Sequence, residues 1–145
     1  MLKGISPLIS PELLTTLYQM GHGDEIVLAD AHFPGHSNNK RVIRADGLII
    51  NDLLNAILPL FELDTFIEQP TLMMAPVAAD SADPKVKAGY ESIIQSHAPG
   101  SPPVAEVERF DFYERAHRSF AVVMTGDTAK YGNLILTKGV TPVNS

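Results

Sequence analysis

Two rhythms of apolar residues alternate along the chain. Leu13, Leu14, Leu17 and Tyr18 fall at helical spacing behind Ser10-Pro11-Glu12. In that start signal serine caps, proline fits the first turn and the acid meets the positive end of the helix dipole. The spacing predicts a helix from Pro11 that Gly21 ends through a left-handed cap. Apolar residues at 49, 53, 54, 57, 58 and 61 give a second helical stripe over residues 48–61. Asp83 is placed to cap a third helix from Pro84, with Val86, Tyr90, Ile93 and Ile94 on one face, and residues 111–117 read as a short fourth. Between them lie apolar runs of strand length at 26–29, 71–77, 104–109, 120–125 and 134–137, with a brief extended piece at 41–44. Residues 31–40, with Pro34, Gly35 and Asn38-Asn39, and residues 96–103 (SHAPGSPP) read as loops. Short strands alternating with amphipathic helices predict a layered α/β fold, in one domain spanning 1–145.

Composition narrows the chemistry. Seventeen acidic residues against eleven lysines and arginines leave a net charge of −6 in 145 residues, which disfavours nucleic acid or an anionic membrane as partner. No apolar run approaches the ~20 residues that span a bilayer. The opening MLKGISPLISPELL is broken by prolines and has no Ala-x-Ala site, so the expected location is the cytoplasm. Without cysteine, disulfides, thiolate zinc sites and cysteine nucleophiles are excluded. The phosphate-loop, dinucleotide and Gly-x-Ser-x-Gly patterns are absent as well. What chemistry there is must use His, Asp, Arg, Tyr and Asn.

In α/β folds ligands collect beyond the C-terminal ends of strands, and the notable polar residues sit there. Asp30 ends the 26–29 run, Arg109 ends the 104–109 run, and Tyr131-Gly132-Asn133 precedes the last. A histidine side chain can both give and take a proton in the neutral range; His22, between Gly21 and Gly23, offers that chemistry and also reads as an ordinary turn histidine. Asp30 can accept two hydroxyls at once or cap a nearby loop. Arg109 offers a fork of donors for sugar oxygens, or pairs with Glu108 or Asp111. Tyr113 and Tyr131 have a face for a sugar ring and a hydroxyl for hydrogen bonding, or pack in the core. Asn133 donates and accepts, and Gly132 lets the backbone meet a ligand. His32 and His36 are four apart, but Pro34 and Gly35 between them argue against the helix that a zinc pair needs, so no metal is expected.

Taken together these motifs resemble one family. Lys3-Gly4-Ile5-Ser6-Pro7, Met20-Gly21-His22-Gly23-Asp24, Asp30-Ala31-His32-Phe33-Pro34, Arg44-Ala45-Asp46-Gly47, Phe110-Asp111-Phe112-Tyr113-Glu114-Arg115-Ala116 and Ala129-Lys130-Tyr131-Gly132-Asn133 stand in register nearly end to end. The chain resembles the fucose mutarotase and ribose pyranase family, with Phe-Tyr-Glu-Arg-Ala favouring the fucose branch. The resemblance implies a three-layer α/β/α sandwich and cofactor-free exchange of L-fucose anomers. In it His22 is the proton donor, and Asp30, Arg109, Tyr113, Tyr131, Gly132 and Asn133 bind the sugar. It further implies a homo-oligomer, commonly a decameric ring, with sites near subunit boundaries. Two other readings stay open: a non-catalytic sugar-binding or regulatory module, and a metal-dependent hydrolase built on His22, Asp30, His32 and His36. A deoxy sugar also needs an apolar wall, for which Phe112 or Met73-Met74 are candidates.

Overall fold

In the computed structural model, which describes residues 1–143, one six-stranded sheet carries helices on both faces. The strands are β1 (Glu25–Ala29), β2 (Val42–Ala45), β3 (Thr71–Met74), β4 (Ala105–Val107), β5 (Ala121–Thr125) and β6 (Leu134–Thr137), in the order β2-β5-β1-β6-β3-β4. β6 runs antiparallel to both its neighbours, and the remaining pairings are parallel. Strand alternation sends successive side chains to opposite layers. Ile26, Leu28, Ile43, Met73, Val123, Leu134 and Leu136 join one core. It is closed by α1 (Pro11–Gln19), α3 (Ile50–Ile57) and α4 (Pro84–His97). Val27, Ala29, Leu72, Met74, Val122, Met124 and Ile135 face the other core, closed by Phe33 and by Phe112 and Ala116 of α5 (Arg109–Arg118). Both faces are covered, which is why the strands read as unbroken apolar runs. The three-layer α/β/α expectation holds.

Local signals placed most elements, and the departures have identifiable causes. Ser10 accepts from the Leu13 N–H, and Asp83 from the Lys85 N–H, as expected of caps. The 31–40 stretch is not all loop: α2 (Gly35–Asn38) is one helical turn, started after Pro34 rather than interrupted by it. The 71–77 run ends as a strand at Met74, ahead of Pro76, which lacks the N–H to continue a ladder. The 48–61 helix tightens at Pro59 into a 3-10 turn, Leu58–Leu60. Its start is capped from afar, by the Asp127 carboxylate on the Ile50 N–H at 3.0 Å.

Two corrections bear on function. Gly21 does not end α1 through a left-handed cap: Met20 is the C-cap, extended, and the positive φ belongs to Gly23. The last carbonyls of α1 are instead taken by the Lys138 ammonium, which donates to Leu17 and Met20 oxygens at 2.7 and 2.6 Å, a cation at the negative end of the helix. And Arg109 does not end a strand. β4 stops at Val107, Glu108 folds its carboxylate back onto the Phe110 and Asp111 N–H groups, and Arg109 opens α5. No helix among the described residues is long and apolar enough to cross a membrane.

A pocket at one end of the sheet and a histidine at the other

Four adjacent strands, β1, β6, β3 and β4, deliver their chain ends to the same edge of the sheet. Asp30 follows β1, Met74 ends β3, Arg109 comes two residues after β4, and Asn133 enters β6 from the same side because β6 runs the other way. These ends, with Phe33, Tyr113 from α5, and Lys130 and Tyr131 from the turn before β6, line a cavity of about 260 Å³. That is just below the usual range of small-ligand pockets, a size for a small ligand.

The polar side is built by cross-chain hydrogen bonds. The Asn133 side-chain oxygen accepts the Asp30 N–H at 2.7 Å, both residues being buried. Asp30 in turn takes the His32 N–H on Oδ1 at 2.9 Å. Burial pushes the Asp30 carboxyl above its ordinary range, more than the His32 and Phe33 N–H groups and the His32 charge draw it down. A carboxylate so placed gains by accepting ligand hydroxyls. Arg109 brings a guanidinium whose Nε is buried without a partner in the protein, and its charge lies over the Phe110 ring at 4.8 Å.

The turn before β6 is held in an uncommon shape. Tyr131 has φ +57°, left-handed for a residue with a side chain. Its hydroxyl donates to Asp80 at 2.9 Å, and Lys130 pairs with the same carboxylate at 2.8 Å. The Lys130 hydrogen bond, then the Ser81 N–H and the Tyr131 hydroxyl, hold Asp80 down at about 2. Below the turn the Tyr90 hydroxyl donates to the Gly132 carbonyl at 2.6 Å. Burial, then the Asp127 and Asp30 charges, push Tyr90 upward, so it stays a donor. A Cβ on Gly132 would sit 3.0 Å from the Ala129 oxygen and 3.2 Å from that hydroxyl, so glycine suits the packing.

Of the residues singled out from the sequence, Asp30, Arg109, Tyr113, Tyr131 and Asn133 line this cavity. Gly132 lies within its turn, with its carbonyl turned to Tyr90. Of the candidates for an apolar wall only Met74 lines it, beside Phe33, Pro34 and Val77. Met73 faces the other core, and Phe112 is wholly buried beneath. His32 lines the pocket and His36 does not. Lys130, Asp80 and Tyr90 were not singled out for the site; the only sequence signal was that Lys130 adjoins Tyr131. Among the described residues no group of three or more His, Asp or Glu is placed to hold a metal.

His22 is elsewhere. It precedes β1, whereas Asp30 follows it, and five strand residues at ~3.3 Å each separate the two by about 16 Å. Its turn is stitched to the far end of β6: Gly23 N–H donates to the Lys138 oxygen and Lys138 N–H to the Asp24 oxygen, at 2.8 and 2.9 Å. Across that strand end, Leu63 bridges to Lys138 and the Asp64 N–H donates to the Thr137 oxygen at 3.0 Å. A Cβ on Gly139 would meet Asp64 backbone atoms at 2.8–2.9 Å, so only glycine allows this approach. Asp64 thereby reaches His22, with Nε2 3.0 Å from Oδ1. The Phe66 ring lies 5.1 Å from the imidazole and is 75% exposed.

Comparison with known proteins agrees with this architecture. The model of the RbsD / FucU transport protein family matches residues 3–141. An L-fucose mutarotase of Haemophilus influenzae is 59% identical over 143 residues, 99% of each chain. One from Histophilus somni is 57% identical over the same length and coverage. The crystal structure of the fucose mutarotase of Streptococcus pneumoniae in complex with L-fucose superposes with a TM-score of 0.91 at 44% identity, covering 97% of this chain and all of that one.

Proposed function

The chain belongs to the RbsD / FucU family, and from that premise we propose that it is an isomerase that interconverts the α and β anomers of L-fucose. The observation that carries the reading is the pocket. Buried hydroxyl acceptors, a guanidinium and an apolar wall of Phe33, Met74 and Val77 converge on a space of monosaccharide size, next to the full-length match to mutarotases. Asp30 and Asn133 orient hydroxyls, Arg109 holds oxygens, Tyr113 and Tyr131 contact the ring, and the apolar wall takes the methyl of the deoxy sugar.

Anomers exchange through the open-chain aldehyde. Opening needs a proton on the ring oxygen and loss of one from the anomeric hydroxyl; closure after the aldehyde rotates reverses both. One proton carrier is the minimum, and His22 is the group assigned to that task. General acid–base catalysis typically contributes 10²–10⁴-fold, enough for a reaction that also runs unaided in water. Because His22 and Asp30 stand at opposite ends of β1, the reading requires His22 to enter the pocket of a neighbouring copy. A homo-oligomer with shared sites follows, the decameric ring of the family resemblance being its expected form, and the reaction belongs to the cytoplasm.

Saturation-transfer NMR across L-fucose, D-ribose, D-galactose and D-arabinose tests this. Anomer exchange accelerates most for L-fucose and is lost in His22→Ala; normal exchange in a folded His22→Ala protein excludes the assigned role. A second reading, a sugar-binding module without catalysis, is favoured by one feature: the pocket of a single chain lacks His22. Saturable fucose binding with no rate enhancement would select it.

A further inference from the structure

The carboxylate under His22 belongs to no part of the sugar pocket. We propose that Asp64 is a positioning residue that decides which nitrogen of His22 moves the proton: Nε2 keeps its hydrogen, bonded to Asp64, and Nδ1 is the reacting atom. This rests on the reading of His22 as the proton carrier.

The argument runs from acceptor inventory to tautomer. Asp64 is 4% exposed, and its Oδ1 takes the Phe66 N–H at 3.0 Å as well as facing Nε2 of His22 at 3.0 Å. Burial alone would raise this carboxyl. The Phe66 N–H, the His22 hydrogen bond and charge, and the Thr65 N–H outweigh it and hold Asp64 below the usual carboxylate range. It is therefore ionised at neutral pH and can only accept. The hydrogen between the two must sit on Nε2, which leaves the lone pair of a neutral imidazole on Nδ1. Among the described residues no hydrogen bond occupies Nδ1, and the His22 side chain is 45% exposed, so that edge is open to a ligand from outside the chain. The Phe66 ring lies beside the imidazole, tilted 55° to it.

The surroundings make Asp64 a fixed support rather than a chance contact. Its N–H is bound to Thr137, its chain neighbour Leu63 to Lys138, and Gly139 permits the close packing. The same Lys138 holds the His22 turn from the other side. Histidine and carboxylate thus hang from one strand end, so their separation is set by the sheet. In the opening step the protonated ring gives its Nδ1 hydrogen to the ring oxygen of the sugar. The electron pair of the C1–ring oxygen bond moves onto that oxygen, and the anomeric hydroxyl releases its proton to water as C1=O forms. Closure runs the same transfers backwards. Throughout, Nε2–H stays bonded to Asp64.

The wild-type protein supplies the first test. With ¹⁵N-labelled histidine, the neutral His22 ring is expected to show the Nε2–H tautomer; a predominant Nδ1–H tautomer overturns the proposal. Asp64→Asn keeps the shape and removes the charge. It is expected to lower kcat for L-fucose exchange about tenfold or more, with KM within about twofold, a loss inside the range of acid–base catalysis. An unchanged kcat in a variant whose melting curve is normal overturns it. His22→Ala separates the two levels: if it retains activity, the role of His22 fails, while the tautomer measurement still judges Asp64. If His22→Ala is inactive and Asp64→Asn fully active, only the Asp64 proposal fails.

Discussion

The side-chain oxygen of Asn133 accepts the backbone N–H of Asp30 at 2.7 Å, across 103 residues of sequence. One residue follows β1 and the other precedes β6, and these strands are neighbours in the sheet. The bond fixes the mouth of the pocket as one unit. Asn133→Ala leaves the Asp30 N–H buried and unpaired, at a cost of about 1–3 kcal/mol. Denaturant unfolding is expected to register that loss together with weaker fucose binding. Loss of binding at full stability would mean that the bond is dispensable for the fold.

Asp30 carries the opposite signature. Its folded-state carboxyl titrates above the ordinary value of 3.8, so the folded protein holds this proton more tightly than the unfolded chain. Ionising it costs stability. The cost is absent below the ordinary value, grows as pH rises through the raised one, and is complete above it. Asp30→Asn is therefore expected to melt at higher temperature than wild type at pH 7, with the gap closing as pH falls toward 4, while fucose exchange is lost. A gap independent of pH would contradict the assigned cause.

Tyr90 does not line the pocket but holds the Gly132 carbonyl at 2.6 Å. Tyr90→Phe strands that carbonyl and is expected to cost about 1–2 kcal/mol of stability. The Tyr131 turn loosens with it, so KM rises more than kcat falls. Asp80→Ala, which unties the exposed ends of Lys130 and Tyr131, is expected to raise KM by no more than about fivefold, the scale of a surface ion pair.

The proposed sharing of sites between copies predicts that two inactive variants complement each other. In a 1:1 mixture of His22→Ala and Asp30→Asn subunits, reassembled at random, about one site in four joins an intact histidine to an intact pocket. Activity is expected to reappear near that fraction. No recovery after verified subunit exchange would exclude the shared arrangement.

The elements were legible where their signals are local. Ser10-Pro11 and Asp83-Pro84 each act on backbone within three residues, and both helices begin where those signals stand. Signals failed where the partner came from afar. Gly21 seemed a cap because nothing near it announces Lys138. Arg109 seemed a strand end because Glu108, in an apparently extended run, turns back as a cap. The pocket residues were legible through strand ends and family motifs. Asp64 was not, since it lies 42 residues from His22 and nothing in its own neighbourhood, Leu63-Asp64-Thr65, marks it. That His22 and Asp30 stand at opposite ends of a strand is implicit in the 26–29 run that separates them, which the structure shows as β1.

The central place of β6 has a consequence for how the chain is made. Without residues 134–137 the sheet is two unconnected pieces, β2-β5-β1 and β3-β4. The strand that joins them is also the one that ends in Asn133 on one side and Lys138 on the other. A nascent chain therefore has no closed core, and neither the pocket mouth at Asn133 nor the support of His22 at Lys138, until its sixth strand has left the ribosome. Truncated or stalled products would leave both cores open and two strand edges unpaired, which makes them prone to aggregate. Completeness of synthesis and competence for sugar chemistry are thus tested by the same four residues.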